Sequence, residues 1–181
     1  MTAALLVIDV QNEYVSGGLP IAHPPVEGSL ERVGAAMDAA TAHGIPVVLV
    51  RHTEPDPSGG LFVSGTPAWE LHETVSARPH AAVIDKTLPG SFTGTGLEAW
   101  LREHDVDHLV IAGYMTHMCV DTTTRQAMHL GLDVTVLDDA TGTIDISDDL
   151  PAALVHRVEL GVLGDGFAAV TSTVAWITSL D

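Results

Sequence analysis

The chain has 181 residues, and 46% of its side chains are hydrophobic, which suits one folded domain and argues against disorder. Its net charge of −17, from 24 acidic and 7 basic residues, disfavours binding to nucleic acid phosphates and to anionic membrane surfaces. Its apolar runs are also far too short to span a bilayer.

The first residues, MTAALLVIDV, contain no basic segment, and their apolar run is interrupted at Asp9. This pattern predicts a buried strand rather than a signal peptide. The chain contains one cysteine, so it cannot form an internal disulfide. We therefore expect a reducing, cytoplasmic environment.

Short apolar runs alternate with helical patterns along the whole chain. The predicted strands are 5–10, 47–50, 81–85, 108–112, 133–137 and 167–171. The predicted helices are 29–43, 67–74, 95–104, 118–131, 149–160 and a short C-terminal helix that reaches Leu180. A long loop rich in glycine, proline and serine occupies 51–66, and loops of this length are often functional.

Strands that are apolar throughout are typical of a parallel sheet that is covered on both faces. The alternation of strands and helices therefore predicts a three-layer α/β/α fold, Rossmann-like, with a six-stranded and mostly parallel sheet. We expect residues 1–181 to form a single domain. In such sheets ligands bind outside the carboxyl ends of the strands.

Cys119 lies in the segment GYMTHMCVDTTTR, directly after the fourth predicted strand. Gly113 ends that strand and helix-forming residues begin at Met118, so we expect Cys119 in the first turn of a helix. Free backbone N–H groups and the helix dipole favour a thiolate there, and they can lower a cysteine pKa from about 8.5. A lone cysteine is more often a buried packing residue, so this segment alone leaves catalysis open.

Two further residues suggest a site. Asp9 lies near the carboxyl end of the first predicted strand, and Lys86, the only lysine, directly follows the third. Carboxyl ends of parallel strands share one edge of the sheet, so these side chains and Cys119 can meet there.

Three motifs carry a family resemblance: LLVIDVQNEY, IDKTLPGSF and AGYMTHMCVDTTTRQAMHLGLDVTVLDDATGT. In order and spacing they resemble the isochorismatase-like cysteine hydrolase superfamily over essentially the whole chain. The resemblance implies the isochorismatase-like hydrolase fold and a catalytic triad of Asp9, Lys86 and Cys119. It further implies a non-proline cis peptide between Tyr114 and Met115, with the N–H groups of Met115 and Cys119 forming an oxyanion hole.

This resemblance implies a mechanism that needs no cofactor. Asp9 takes the thiol proton, Lys86 stabilises the thiolate, and Cys119 attacks the carbonyl carbon of a small amide or lactam to form a thioester. Family members are commonly homo-oligomers, so we expect a dimer or tetramer in which a neighbouring subunit could complete the pocket.

Other activities stay open. The superfamily includes nicotinamidases, N-carbamoyl hydrolases and hydrolases of the streptothricin lactam, and the chain could instead be a redox-sensing thiol protein or a structural subunit. Members that hydrolyse isochorismate commonly lack the nucleophilic cysteine, so Cys119 disfavours that reaction.

A metal site is a further possibility, because nicotinamidases of the family carry an Asp-x-His motif and a second histidine after the second strand. Candidate zinc ligands here are His52, Glu54, Asp56 and His72. Their spacing does not match the family motif, so we predict no metal.

The remaining candidates concern the substrate pocket. Gln11 follows the catalytic aspartate and either supports its loop or contacts substrate. Phe62, Trp69 and Phe92 are candidates for an apolar pocket wall, and Thr116 lies close to the nucleophile.

Overall fold

The computed structural model describes residues 2–181, and its centre is a six-stranded sheet. The strands are β1 Ala3–Ile8, β2 Val47–His52, β3 Ala82–Lys86, β4 His108–Tyr114, β5 Asp133–Gly142 and β6 Ala169–Thr171. Their order in the sheet is β3-β2-β1-β4-β5-β6, and each neighbouring pair is parallel. The predicted α/β fold class is confirmed.

Helices pack on both faces of the sheet. They are α1 Val26–Ala42, α2 Glu73–Ser76, α3 Leu97–Glu103, α4 Asp121–His129, α5 Ala152–Gly166 and α6 Thr173–Thr178. Side chains of α1, α2 and α6 pack in one apolar cluster, and those of α3, α4 and α5 pack in a second. Across residues 2–181 we find no helix with the length and apolar character needed to cross a membrane.

The position of β1 between two apolar clusters explains why its sequence is apolar at consecutive positions. Leu5 and Val7 belong to the cluster on one face of the sheet, whereas Leu6 and Ile8 belong to the cluster on the other. Because side chains alternate along a strand, a central strand covered on both faces needs apolar residues at every position.

The order of the strands reverses between β1 and β4, and in such sheets ligands bind at this point, outside the carboxyl ends of the strands. Gly113 allows the two strands to approach closely there. Its φ is +111°, and a Cβ at this position would lie 2.0 Å from the backbone oxygen of Ile8. Only glycine fits this position without separating the strands.

Several predicted boundaries differ from the structure, and two of these differences have a clear cause. Residues 67–72 do not form a helix, because their backbone pairs instead with the segment after β1: Leu71 forms an antiparallel bridge with Gln11, and α2 begins only at Glu73. The strand β5 continues to Gly142, beyond the predicted end at 137, because its extension pairs with the last residues of β4.

Candidate active site

The side chains of Asp9, Lys86 and Cys119 meet at the carboxyl edge of the sheet. Lys86, the last residue of β3, places its Nζ 2.7 Å from Asp9 Oδ2 and 3.3 Å from Cys119 Sγ. The side chains of Asp9 and Lys86 are both 0% exposed, and Cys119 is 6% exposed. A carboxylate, an ammonium and a thiol therefore share a site that is almost closed to water.

Asp9 reaches this site through an unusual backbone conformation. It directly follows β1 with a φ of +52°, in the left-handed region that few residues other than glycine adopt. Its N–H donates to the Val50 carbonyl at 2.9 Å, which holds the turn in place. Within residues 2–181 no donor forms a hydrogen bond with Oδ1, so this oxygen can take part in chemistry.

Cys119 does not lie in the first turn of α4, as predicted, but in a turn of π-helix over Thr116–Val120 that precedes it. Single π-helical turns of this kind are frequent at functional sites. Burial and the neighbouring Asp9 raise the pKa of the Cys119 thiol, although Lys86 acts against them. The expectation of a lowered pKa is therefore wrong, because desolvation of the thiolate outweighs its stabilisation.

The charges of the other two groups follow from the same burial. Burial raises the pKa of Asp9, although Lys86 draws it downward. Burial lowers the pKa of Lys86, but the nearby Asp9 and Cys119 leave it above its usual value. We therefore assign the resting site as a neutral thiol beside a carboxylate–ammonium pair, with Asp9 more basic than an exposed aspartate.

The peptide bond between Tyr114 and Met115 is cis. The Tyr114 hydroxyl lies 2.6 Å from Ser29 Oγ on α1, and its ring packs edge-on against Tyr14 at a centroid distance of 5.7 Å. The Met115 N–H has no backbone or side-chain acceptor among residues 2–181. The segment before the π turn is thus anchored on one side and presents an unused donor.

Thr116 is fully buried, and its hydroxyl lies 2.9 Å from Nδ1 of His156 on α5. The other ring nitrogen, Nε2, lies 3.1 Å from the Asp138 carbonyl. A carbonyl can only accept, so Nε2 carries the ring proton and Nδ1 accepts from Thr116. Thr116 therefore holds the π turn against α5, and its contact with substrate stays a prediction. Sequence reasoning missed His156 because no local motif marks it.

The side chain of Gln11 binds two of the loops beside the site. Its buried side-chain amide donates to the carbonyls of His52 and Trp69, at 3.0 and 2.7 Å, and accepts from the His52 N–H at 2.9 Å. Gln11 therefore joins the segment after β1 to His52 and Trp69, and its contact with substrate stays a prediction.

The three candidate aromatic residues lie in different surroundings. Phe62 packs edge-on against His52 at 5.2 Å, next to the site. Phe92 packs against the apolar cluster that contains Cys119. For Trp69, the Arg51 guanidinium covers the ring at 4.0 Å and the indole N–H donates to Thr53 at 2.8 Å.

The four candidate metal ligands are not gathered into one site. His72 caps α2 through the Thr74 N–H, and Asp56 accepts from the Ser58 N–H. His52 instead lies against Lys86, with Nδ1 3.4 Å from Nζ. Within residues 2–181 no three histidine, cysteine or acidic side chains form a cluster that could hold a metal ion.

Comparisons with known proteins match this architecture. A model of the isochorismatase domain matches residues 3–174. Streptothricin hydrolase of Streptomyces noursei is 36% identical over 179 residues, which cover 95% of this chain and 63% of that protein. A candidate isochorismatase of Burkholderia xenovorans LB400 superposes with a TM-score of 0.93 at 45% identity, over 99% of this chain and 87% of its own. A cysteine hydrolase of Pseudomonas syringae pv. phaseolicola 1448A superposes with a TM-score of 0.89 at 25% identity, over 99% of this chain and 92% of its own.

Proposed function

Because the chain belongs to the isochorismatase family of hydrolases, we propose that it cleaves the carbon–nitrogen bond of a small amide or lactam through a thioester on Cys119. The observation that carries this proposal is the Lys86 ammonium, which contacts both Asp9 Oδ2 and Cys119 Sγ. A nucleophile, a base and a cation within reach of one another are what acyl transfer to sulfur requires.

Asp9 is the proposed general base. Its burial makes it more basic, and the thiol beside it is neutral at rest, so the proton moves from Sγ to the carboxylate as sulfur attacks the carbonyl carbon. Lys86 stabilises the negative charge that develops on sulfur. Activation of the nucleophile thus coincides with the attack, and no free thiolate needs to accumulate.

The protonated Asp9 then donates its proton to the leaving nitrogen, the carbon–nitrogen bond breaks, and the acyl group stays on Cys119 as a thioester. In the second half of the reaction Asp9 takes a proton from water, and the hydroxide attacks the thioester carbon. The carboxylic acid leaves, and sulfur recovers its proton. One carboxyl group serves as base, acid and base again.

The backbone N–H groups of Met115 and Cys119 are the proposed donors to the oxyanion. The unused Met115 N–H beside the π turn supports this assignment. A donor of this kind stabilises the transition state by about 3 to 4 kcal/mol.

Two observations favour hydrolysis over the redox-sensing alternative. Cysteines that sense peroxide are exposed and have lowered pKa values, whereas Cys119 is buried and its pKa is raised. The similarity to streptothricin hydrolase supports amide chemistry and makes streptothricin one of the compounds to test.

The test is a screen of small amides, lactams and N-carbamoyl compounds with the wild-type protein, Cys119→Ser and Cys119→Ala. We expect turnover of one class by the wild type and a loss of at least about a thousandfold in both variants. Mass spectrometry of the quenched wild-type reaction should show an acyl group on Cys119, the only cysteine in the chain. Full turnover by Cys119→Ala would rule out the thioester.

A further inference from the structure

The Lys86 ammonium has a third contact that the mechanism does not use. Besides Asp9 and Cys119, its Nζ lies 3.4 Å from Nδ1 of His52, the last residue of β2. We propose that His52 is a positioning residue, whose neutral imidazole accepts the third ammonium hydrogen and so directs the other two toward Asp9 and Cys119.

The contact defines the state of the imidazole. An ammonium has three hydrogens and no lone pair, so Nδ1 can only accept from Lys86. The ring proton then resides on Nε2, and the imidazole is neutral. With His52 in place, each ammonium hydrogen has a partner, and Lys86 has no spare donor that could turn it away from the sulfur.

The surroundings of His52 hold it in this position. His52 and Lys86 are register partners in the parallel pair β2–β3, so their side chains leave the sheet on the same face. The Gln11 side chain binds both the N–H and the carbonyl of His52, at 2.9 and 3.0 Å. Phe62 packs against the ring at an interplanar angle of 87°. The imidazole is therefore fixed before any substrate arrives.

Four groups set the charge around this imidazole. Burial and the Lys86 cation lower the pKa of His52, whereas Asp9 and Glu54, in the loop after β2, raise it. The neutral Cys119 thiol adds no charge at rest. His52 is thus neutral at neutral pH, and acid converts it into a cation that cannot accept from Lys86 and repels it.

The role of His52 rests on the proposed function, because Lys86 matters only if Cys119 acts as a nucleophile. Alkylation of Cys119 by iodoacetamide tests the role of His52 separately from the proposed function, because it uses the same sulfur and needs no substrate of the enzyme. The protein has a single cysteine, so the total adduct measured by mass spectrometry reports this site alone. The rate is measured across the pH range in which a histidine titrates, alongside turnover of the best substrate.

The variants are His52→Leu, which has no acceptor, and His52→Gln, which keeps an acceptor that does not titrate. We expect alkylation of His52→Leu at neutral pH to be about tenfold slower than that of the wild type, and alkylation of His52→Gln to stay within about threefold. On acidification the rate for His52→Gln should also decline less steeply than that of the wild type, because only the ionisation of the thiol itself then lowers it. The exposed histidine at the end of α4 supplies a control, His129→Leu, which should match the wild type.

Wild-type rates and pH profiles in His52→Leu would overturn the role of His52, even if the protein hydrolyses amides. Should His52→Leu fail to fold, His52→Gln decides: an acid decline as steep as that of the wild type overturns the role, and a shallower decline supports it. A chelator that changes alkylation of the wild type but not of the variants would identify His52 as a metal ligand instead. Altered alkylation without turnover of any amide would retain the role of His52 and refute the proposed function.

Discussion

Asp9 and Lys86 form an ion pair of 2.7 Å from which solvent is fully excluded. Such a pair is costly to assemble, because both charges lose their hydration, and it is more costly to break, because one charge is then left alone in the interior. The ammonium that compensates Asp9 also contacts the sulfur of Cys119. The stability of the fold and the proposed reaction therefore both depend on Asp9 and Lys86. Single and double substitutions of this pair can separate the two effects.

The variant Asp9→Asn should lower the free energy of unfolding by about 3 kcal/mol, because it leaves Lys86 as a buried charge without a counter-ion. Amide turnover should fall at least about a hundredfold, because the general base is lost. Urea denaturation and initial rates measure the two effects. The double variant Asp9→Asn/Lys86→Met removes both charges, so it should regain most of the stability but none of the turnover. If the double variant is no more stable than Asp9→Asn, the loss does not come from an unpaired charge.

His156 should make the protein sensitive to acid. Burial, and then the neighbouring His23, lower its pKa to about 4, whereas an unfolded chain takes up the proton near its ordinary value of 6.5. Between these two pH values the unfolded state binds more protons than the folded state, so stability falls as the pH falls through this window. We expect a loss of about 2 kcal/mol from neutral pH to about pH 4.

The comparison that isolates this effect is His156→Gln, measured by urea denaturation across the same pH range. The variant should be less stable than the wild type at neutral pH, because the hydrogen bonds to Thr116 and Asp138 change. Its stability should decline less on acidification. Parallel pH profiles for the two proteins would show that His156 does not control the acid response.

Gly113→Ala should destabilise the protein severely, by more than about 3 kcal/mol, because the new Cβ meets the backbone of Ile8 and the φ of +111° is unfavourable for alanine. Turnover should fall as well, since separating β1 from β4 moves Asp9 away from Cys119. The matched control is Gly161→Ala on the exposed face of α5, where a Cβ meets no atom within 4 Å. That change should leave the protein as stable as the wild type or raise its stability by up to about 1 kcal/mol. Equal stabilities for the two variants would contradict the close approach of the strands.

Exhaustive treatment with a chelator should leave turnover unchanged, because side chains supply the base, the cation and the nucleophile of the proposed reaction. The two histidines that were candidate metal ligands have other partners: His52 contacts the Lys86 ammonium, and His72 accepts from the Thr74 N–H. Activity that is lost after chelation and restored by zinc would reject this mechanism.

Particular residues show where sequence reasoning succeeded. The run from Leu5 to Ile8 predicted a strand covered on both faces, and the motifs around Cys119 identified the family, because both signals lie within short stretches of neighbouring residues. The helix expected over 67–74 begins only at Glu73. Local propensity there is weak, and pairing with the segment after β1 satisfies the same backbone groups.

The site could be located from the sequence but not described electrostatically. A thiol near a helix start is expected to ionise easily, yet in the folded protein desolvation raises the pKa of Cys119 and makes Asp9 necessary as a base. From the sequence, His52 is a candidate only for a metal ligand, because its contact with Lys86 depends on the register of β2 against β3.

By itself, the sequence determined the family, the alternation of strands and helices, and the strand ends at which Asp9, Lys86 and Cys119 lie. These properties are encoded in hydrophobic periodicity and short motifs, which act over neighbouring residues. The tertiary structure alone decided how deeply the three groups are buried, which protons they hold, and that His52 and His156 bind the elements that carry them. The hydrogen bonds of His52 to Lys86 and of His156 to Thr116 join residues 34 and 40 positions apart in the chain, and no local pattern records such contacts.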